Sequence, residues 1–271
     1  ERTHGPMTQR RRFFSEDSFW NQPIGPDPEI DPGSDFYMRC WAKEPTGGMH
    51  INASHYSIPV YSVDDSTPRR RVGQMPTPPK AQERSVTRHR EYRQGKGFGP
   101  EVPIPDHAVP DPAGDAHAAF VDWEKGRAWD MWHARKLPDG SWESYTGMTY
   151  SIDGPGVFRT SDFDVENGDS IHYHGPGRAA GVPIIAGLVM HHEVLAGRIE
   201  HKVALAARYN GYQVFTFPAT WTDGRYAGGL PEAAVVQLDP DLDLSPFGLT
   251  DGAKVICRAL QEYGLDRKSV V

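Results

Sequence analysis

The stretch DAHAAFVDWEKGRAWDMWHARK, residues 115–136, predicts a β-hairpin. In its first part, 115–122, apolar and polar side chains alternate as they do along a half-buried strand. WEKG is a turn sequence, and 127–136 alternates again as a return strand does. A second turn at LPDGSW leads into ESYTGMTYSI, so this region predicts consecutive antiparallel strands joined by short turns.

The composition of the whole chain fits the same fold class. Its 271 residues include 28 glycines and 24 prolines, which is typical of many short strands separated by turns. With 38% hydrophobic and 24% charged residues, the chain is globular. We therefore expect an all-β protein, an antiparallel β-sandwich of jelly-roll type with a few short helices, in a single domain over 1–271.

Three segments depart from the pattern of short strands. Residues 1–35 predict an extended N-terminal arm, and residues 64–105 predict a long basic loop. The arm's SFWNQPI sequence would lay three apolar side chains on the core: Phe19, Trp20 and Ile24. Near the C-terminus, TDGAKVICRALQEYG predicts a helix over 251–263, with Asp251 as its N-cap and Gly264 just past its end.

Charge, hydropathy and cysteine content exclude some classes and leave others open. The net charge of −7 disfavours general nucleic-acid binding. No apolar run approaches the ~20 residues that a helix needs to span a bilayer, so we expect no membrane span. Cys40 and Cys257 could form one disulfide or remain free thiols, and their spacing does not decide between the two.

The stretch HHEVLAGRIEHKVALA, residues 191–206, is rich in histidine and glutamate. HHEVLAG predicts one or two helical turns that end at Gly197, and the remainder alternates as a strand. This is not the H-E-x-x-H metal motif, whose two histidines lie on one unbroken helix. The alternation points His201 inward and Glu200 and Lys202 outward. His201 is therefore a candidate base in a cleft, with a structural core histidine as the alternative.

Asp115 and His117 lie two residues apart, on one face of the first strand of the hairpin. A carboxylate beside an imidazole can fix its tautomer and raise its basicity. The two residues are thus a candidate catalytic pair, and a structural pair at a strand start is the alternative. We expect a polar group from this strand, or from the loop that carries Arg178, to lie near His201.

Further candidates surround these histidines. Three further candidates lie beside the glycine-rich turn in IHYHGPGRAAG: His172, Tyr173 and Arg178. An arginine there can bind a carboxylate through two parallel hydrogen bonds. Trp132 points away from the face of Trp129, so one of the two can line a groove for sugars. Tyr150 is a candidate proton donor.

The sequence requires no cofactor, although two kinds of metal site deserve a test. Asp239, Asp241 and Asp243 alternate and could hold a structural Ca²⁺, but the glycine and closing glutamate of an EF-hand loop are missing. A metal-dependent hydrolase would take its ligands from His50, His117, His172 and His201. Their spacing neither shows nor excludes a zinc site.

Several segments together resemble a group of secreted bacterial proteins without an assigned function. That group carries R-A-x-G-[LV]-P-[LI]-[LI]-A-G-L, then G-x-I-x-H, then P-A-T-x-x-D-G, which correspond here to RAAGVPIIAGL, GRIEH and PATWTDG. The resemblance extends from about Ser18 to Gly264, and Lys202 departs from it because a small residue is usual there. It implies secretion and a jelly-roll carbohydrate-active protein. It maps four candidates onto recurrent positions: Asp115, His117, Arg178 and His201.

Two classes of function follow. The first is a polysaccharide lyase that cleaves a uronate-containing polymer by β-elimination, which needs a carboxylate-neutralising group, a base and an acid. Arg178, His201 or His117, and Tyr150 or Tyr173 would fill these roles. A glycoside hydrolase that uses Asp115 and Asp130 is a variant. The second class is a non-catalytic carbohydrate-binding or cell-surface protein. Convergence of the candidates on one cleft would favour an enzyme.

The basic loop gives the first testable prediction. Between Arg69 and Lys96, nine Lys or Arg accompany only two Glu, a local charge of +7. If Arg69 and Arg71 help to bind an acidic polymer, replacing Arg69, Arg70 and Arg71 with Ser weakens binding, and added salt weakens wild-type binding in the same way. Titration with a polyuronate at two salt concentrations measures both effects. Binding that is indifferent to both would make the loop an ordinary solvated surface.

Overall fold

The computed structural model describes residues 12–43, 51–75, 98, 101–158, 177–178, 180–207, 209–220 and 222–269. The regular structure of these residues consists mostly of strands in several small sheets, with three α-helices and two 3₁₀ turns (Phe19–Asn21 and Ser245–Phe247). The helices are α1 (Ser34–Trp41), α2 (His191–Ala196) and α3 (Asp251–Glu262). Along this part of the chain, no helix has the length and apolar character needed to cross a bilayer.

The strands are short, as the turn-rich composition predicts. They are β1 (Val60–Ser62), β2 (Arg69–Arg70), β3 (Val72–Gln74), β4 (Val102–Pro103), β5 (Ala118–Asp122), β6 (Arg127–Trp132), β7 (Arg135–Lys136), β8 (Trp142–Ser144), β9 (Thr146–Ser151), β10 (Val203–Ala207), β11 (Asn210–Phe215), β12 (Leu230–Glu232), β13 (Val235–Val236) and β14 (Leu265–Ser269). The largest sheet has the order β1-β5-β6-β9.

The predicted hairpin is confirmed and forms the centre of that sheet. β5 and β6 are antiparallel, in a register that runs from Ala118 opposite Met131 to Asp122 opposite Arg127. Asp122 stabilises the turn, because its Oδ1 accepts hydrogen bonds from the backbone N–H groups of Glu124 and Lys125. β9 then pairs antiparallel with β6 and completes a three-stranded meander.

The sheets depart from the purely antiparallel arrangement that we expected, and the largest sheet does so through β1. Four strand pairs are parallel: β1–β5, β3–β8, β10–β14 and β11–β12. Side chains alternate with a period of two in either kind of strand, so the sequence pattern carries no information about strand direction. Parallel partners need a long connection, and three of these four connections also contain other strands.

Two hydrophobic clusters lie on opposite faces of the β5–β6 hairpin. Ala119 and Val121 belong to a cluster with Trp20, Val182 and Ile184. Their neighbours on the opposite face belong to a cluster built from several strands: Ala118, Phe120, Trp129, Met131, Val102 and Trp142. The sequence predicts that 115–122 is a half-buried strand, but the strand within it is buried on both faces. Helix α3 and β10 contribute to a third cluster around Ile199 and Leu260.

The N-terminal arm packs against the core through Trp20, as predicted. This side chain is only 1% exposed, and its Nε1–H donates to the Gly156 carbonyl at 2.8 Å. The neighbouring Asn21 side chain donates to the carbonyls of Phe13 and Ser15. The arm is therefore fixed both by apolar burial and by hydrogen bonds to backbone groups.

The C-terminal helix is also confirmed, with one correction at its start. α3 spans Asp251–Glu262 and buries Val255, Ile256, Ala259 and Leu260. Its N-cap is Thr250, whose side chain accepts a hydrogen bond from the N–H of Ala253 at 3.3 Å. Asp251 instead lies in the first turn, where its negative charge interacts favourably with the helix dipole.

Trp20 gives a direct test of the arm's importance. Trp20→Ala is expected to lower the free energy of unfolding by about 3–5 kcal/mol, because a large buried ring is lost and a cavity remains. Urea denaturation measures the change. Leu195→Ala is the control, since Leu195 is 73% exposed and its loss should cost little. Equal effects of the two substitutions would contradict the described position of the arm.

Candidate functional site

His117 lies just before β5, half-buried, at the end of the central hairpin. Its Nδ1–H donates to the Met131 carbonyl at 3.3 Å, which fixes the tautomer and leaves the lone pair on Nε2. Burial, assisted by the nearby charge of Arg178 and opposed by Asp115, lowers the pKa of His117 to about 4. His117 is therefore neutral at neutral pH, and Nε2 has no hydrogen-bond partner among the described residues.

Asp115 lies beside this histidine and is surrounded by aromatic side chains. The indole Nε1–H of Trp132 donates to Asp115 Oδ1 at 3.4 Å. The backbone N–H of His133 donates to the Asp115 carbonyl at 2.8 Å. Trp132 and His133 are both half-buried, so two aromatic side chains lie next to the Asp115–His117 pair and are partly accessible to solvent. The structure thus brings together three of the predicted residues: Asp115, His117 and Trp132.

Arg178 lies close enough to His117 for its charge to affect the pKa of that histidine. Its guanidinium donates to the carbonyls of Ile184 and Ala186. Burial lowers its pKa, while the charges of Asp266 and Asp130 favour the protonated form. The donors of this arginine are therefore directed at the protein's own backbone. The charge of Arg178 affects the pKa of His117. The prediction that Arg178 binds a substrate carboxylate through two parallel hydrogen bonds is not supported, because its donors bind backbone carbonyls.

Asp130 is fully buried and binds three donors. The Tyr150 hydroxyl donates to its Oδ2 at 2.9 Å, and the N–H groups of Gly177 and Ile184 donate at 2.8 and 3.1 Å. Burial nevertheless raises the pKa of Asp130 to about 6. Burial also raises the pKa of Tyr150 well above 10, so this hydroxyl stays protonated and engaged with Asp130. In this arrangement Tyr150 does not face a substrate, and Asp130 does not form a surface pair with Asp115.

The histidine-rich segment begins as predicted and then departs from the prediction. α2 spans His191–Ala196 and ends at Gly197, whose φ is 75°. β10, however, begins only at Val203, so the alternation expected from Arg198 onwards does not hold. Lys202 is consequently buried instead of exposed. Its Nζ donates to the Gln22 carbonyl at 2.6 Å and lies 4.8 Å from the Phe19 ring centre, and burial lowers its pKa to about 8.

His201 is buried and points inward, but its partner is not the one we expected. Nδ1 lies 2.8 Å from the Lys202 carbonyl, and Nε2 lies 3.1 and 3.2 Å from the two carboxylate oxygens of Glu193. The expected partners from strand 115–117 or the Arg178 loop are replaced by this glutamate. Both ring nitrogens therefore face acceptor oxygens of the protein itself, and neither is directed at a substrate.

The His201–Glu193 pair lines a small cleft between the N-terminal arm and α2. The cleft encloses about 280 Å³ of empty space, part of it open to solvent. Its other lining residues are mostly apolar: Phe13, Phe14, Trp20, Asn21, Ile185, Gly187 and Met190. Ile185 and Gly187 belong to the segment whose carbonyls bind Arg178. That segment therefore lies between the His201 cleft and Arg178. As a result, His117, Arg178 and His201 do not meet in one cleft.

Other predicted residues are distributed elsewhere. His172, Tyr173, His50 and residues 76–97 of the basic loop lie outside the described residues. Arg70 pairs with Asp106, Arg69 lies 5.9 Å from the Trp129 ring centre, and Arg71 is exposed. Asp239 and Asp243 are exposed and accept backbone hydrogen bonds within their own turns. Over the described ranges, no group of three His, Cys, Asp or Glu is arranged to hold a metal ion, and Cys40 and Cys257 are free thiols.

His133 was not singled out from the sequence. It is a non-glycine residue with a φ of +52°, a conformation that a side-chain pattern does not reveal. Comparison with protein-family models, with curated proteins and with solved structures gave no match.

The buried state of His117 predicts a specific pH dependence. Its pKa is about 4 in the folded chain and ~6.5 in an unfolded one, so the unfolded state binds more protons between these values. Stability is therefore lost as the pH falls through this window. His117→Gln, whose amide can still donate to Met131, removes the effect. We expect wild type to lose up to about 3 kcal/mol relative to the variant between pH 7 and pH 4.

Urea denaturation across this pH range measures the difference. Asp130 titrates in the same window, but it does so in both proteins and cancels in the comparison. Parallel curves for wild type and His117→Gln would mean that His117 is not held neutral.

Proposed function

We propose that the chain is a secreted carbohydrate-active enzyme, a polysaccharide lyase that cleaves a uronate-containing polymer by β-elimination with His117 as the base. The observation that carries the proposal is the state of His117. Its Nδ1–H is held by a backbone carbonyl, it is neutral at neutral pH, and its Nε2 is unengaged among the described residues. A general base must be unprotonated, oriented and within reach of substrate.

In the proposed reaction, His117 Nε2 removes the C5 proton of the uronate. The electron pair of that C–H bond forms the C4–C5 double bond, and the C4–O bond breaks as the leaving oxygen takes a proton from water. The hydroxide that remains is neutralised by the proton now carried by His117. Negative charge develops on the uronate carboxylate during this step. The positive charge of Arg178 is close enough to depress the pKa of His117, and the same field stabilises the developing charge without direct contact.

The surroundings of His117 suit a sugar. Trp132 is half-buried beside Asp115, and an aromatic face can cover the apolar C–H face of a sugar ring. The basic loop would hold the acidic chain, with Arg71 exposed at its start. The proposed reaction requires no cofactor. We also propose that the sheets pack as the β-sandwich that the sequence predicts. In support of this packing, one hydrophobic cluster joins the hairpin with Val72 and Trp142, which lie on a second sheet.

The glycoside hydrolase variant is less well supported. Such an enzyme needs two carboxyl groups that flank the scissile bond. Asp130 is fully buried and bound to Tyr150, Gly177 and Ile184, so it cannot flank a substrate together with Asp115.

A non-catalytic carbohydrate-binding protein is the second candidate, and one observation favours it. The end of β11 and the residues that follow it expose several large apolar side chains: Tyr212 (53%), Val214 (43%), Phe215 (48%) and Phe217 (64%). The segment 209–222 contains no charged residue. An exposed apolar strip of this kind marks an interaction surface, and its rings could stack on sugars without any base.

Enzymatic assays separate these candidates. We expect wild type to generate unsaturated, ultraviolet-absorbing products from one of a panel of acidic and neutral polysaccharides. His117→Ala should lower kcat by ~10²-fold or more, because a positioned base is lost. As the pH is lowered from neutral, kcat should stay constant until about one unit above the His117 pKa of about 4. Below that pH, kcat should fall because the imidazole is protonated.

His191→Ala is the matched control, because His191 is exposed at the start of α2. New reducing ends without unsaturated products would indicate a hydrolase. Binding without any product would indicate a carbohydrate-binding protein. Unchanged activity in His117→Ala would rule out His117 as the base.

A further inference from the structure

His133 has a strained backbone in the middle of the candidate site. It directly follows β6, and its φ of +52° lies in the left-handed region that non-glycine residues seldom adopt. Ala116, which immediately precedes His117, has a φ of +42°. The two strained residues lie close together, because His133 N–H donates to the Asp115 carbonyl and Ala134 N–H donates to the Ala116 carbonyl. Strain of this kind persists where the surrounding structure imposes it, and it clusters at ligand sites.

The imidazole of His133 packs in a cluster with two aromatic rings whose centres are 5.3 Å apart. Its ring centre lies 4.3 Å from that of Trp132, nearly perpendicular to it, and 6.1 Å from that of Tyr145. The contacts fix the orientation of the ring without using its polar atoms. Neither ring nitrogen has a hydrogen-bond partner among the described residues, although the side chain is half-buried. A half-buried polar ring of fixed orientation is suited to hydrogen bonds with a ligand.

We infer that His133 is a substrate-binding residue that determines specificity, hydrogen-bonding a hydroxyl group of the sugar unit that stacks against Trp132. A neutral imidazole has one N–H donor and one acceptor nitrogen, and a sugar hydroxyl can serve as either partner. Burial lowers the pKa of His133, which favours this neutral form at neutral pH. Asp115 connects this residue to the base, since it contacts the His133 backbone and the Trp132 indole and lies beside His117. The inference rests on the proposed function.

The test uses polygalacturonate as the probe and separates binding from chemistry. His133→Ala should raise KM about tenfold while kcat stays within about twofold, because the lost hydrogen bond serves binding and not proton transfer. His133→Asn should restore KM to within about threefold of wild type. Asparagine tolerates the left-handed backbone, and its amide both donates and accepts. Thermal unfolding should show His133→Asn to be at least as stable as wild type, since the strain is relieved.

The outcomes for this inference and for the proposed function are distinct. If His117→Ala abolishes the reaction but His133→Ala leaves KM unchanged, the inference falls and the proposed function stands. If His133→Ala lowers kcat as strongly as His117→Ala does, binding is not its role, and the inference also falls. If wild type yields no product, the affinity for polygalacturonate is measured by calorimetry: weaker binding by His133→Ala still supports the sugar contact, and equal binding or none overturns it.

Discussion

The carboxylate of Asp130 holds together the parts of the molecule on which the candidate site depends. It lies on the central strand β6 and binds the hydroxyl of Tyr150 on β9, together with the N–H groups of Gly177 and Ile184 from the segment packed over the sheet. A buried carboxylate without such donors would be strongly unfavourable. These bonds fix the covering segment in place, and with it the position of Arg178. The electrostatic environment of His117 is thus set by an acid that has no direct contact with a substrate.

The two inward-facing histidines show how neighbours decide what an imidazole can do. His117 has a carbonyl at one nitrogen and no partner at the other among the described residues, so it remains a neutral acceptor. His201 has a carbonyl at one nitrogen and the Glu193 carboxylate at the other, so its polar atoms are fully used. In the sequence the two residues look alike, since the pattern places each on the inner face of a strand. The difference comes from α2, which places Glu193 against a residue eight positions later.

Local features could be predicted from the sequence, whereas features set by distant contacts could not. The hairpin at 115–136, the end of α2 at Gly197 and helix α3 follow from periodicity, turn residues and caps that lie within a few positions of one another. The parallel strand pairs join distant segments and leave no local trace. The burial of Lys202 depends on the Gln22 carbonyl, which lies 180 residues earlier in the chain. The role inferred for His133 depends on a backbone dihedral angle that residue identity does not specify.

The contacts of the N-terminal arm also constrain when the chain can fold during synthesis. The Trp20 carbonyl accepts the N–H of Lys202, and Ile24 N–H donates to the Glu262 carbonyl. β10 pairs with β14, which follows α3 near the end of the described chain. Residues 20–24 therefore meet these partners only after the chain has been synthesised beyond Glu262. Until then these contacts of the arm are missing, so a nascent chain of this kind gains from chaperones that shield the aromatic side chains of the arm.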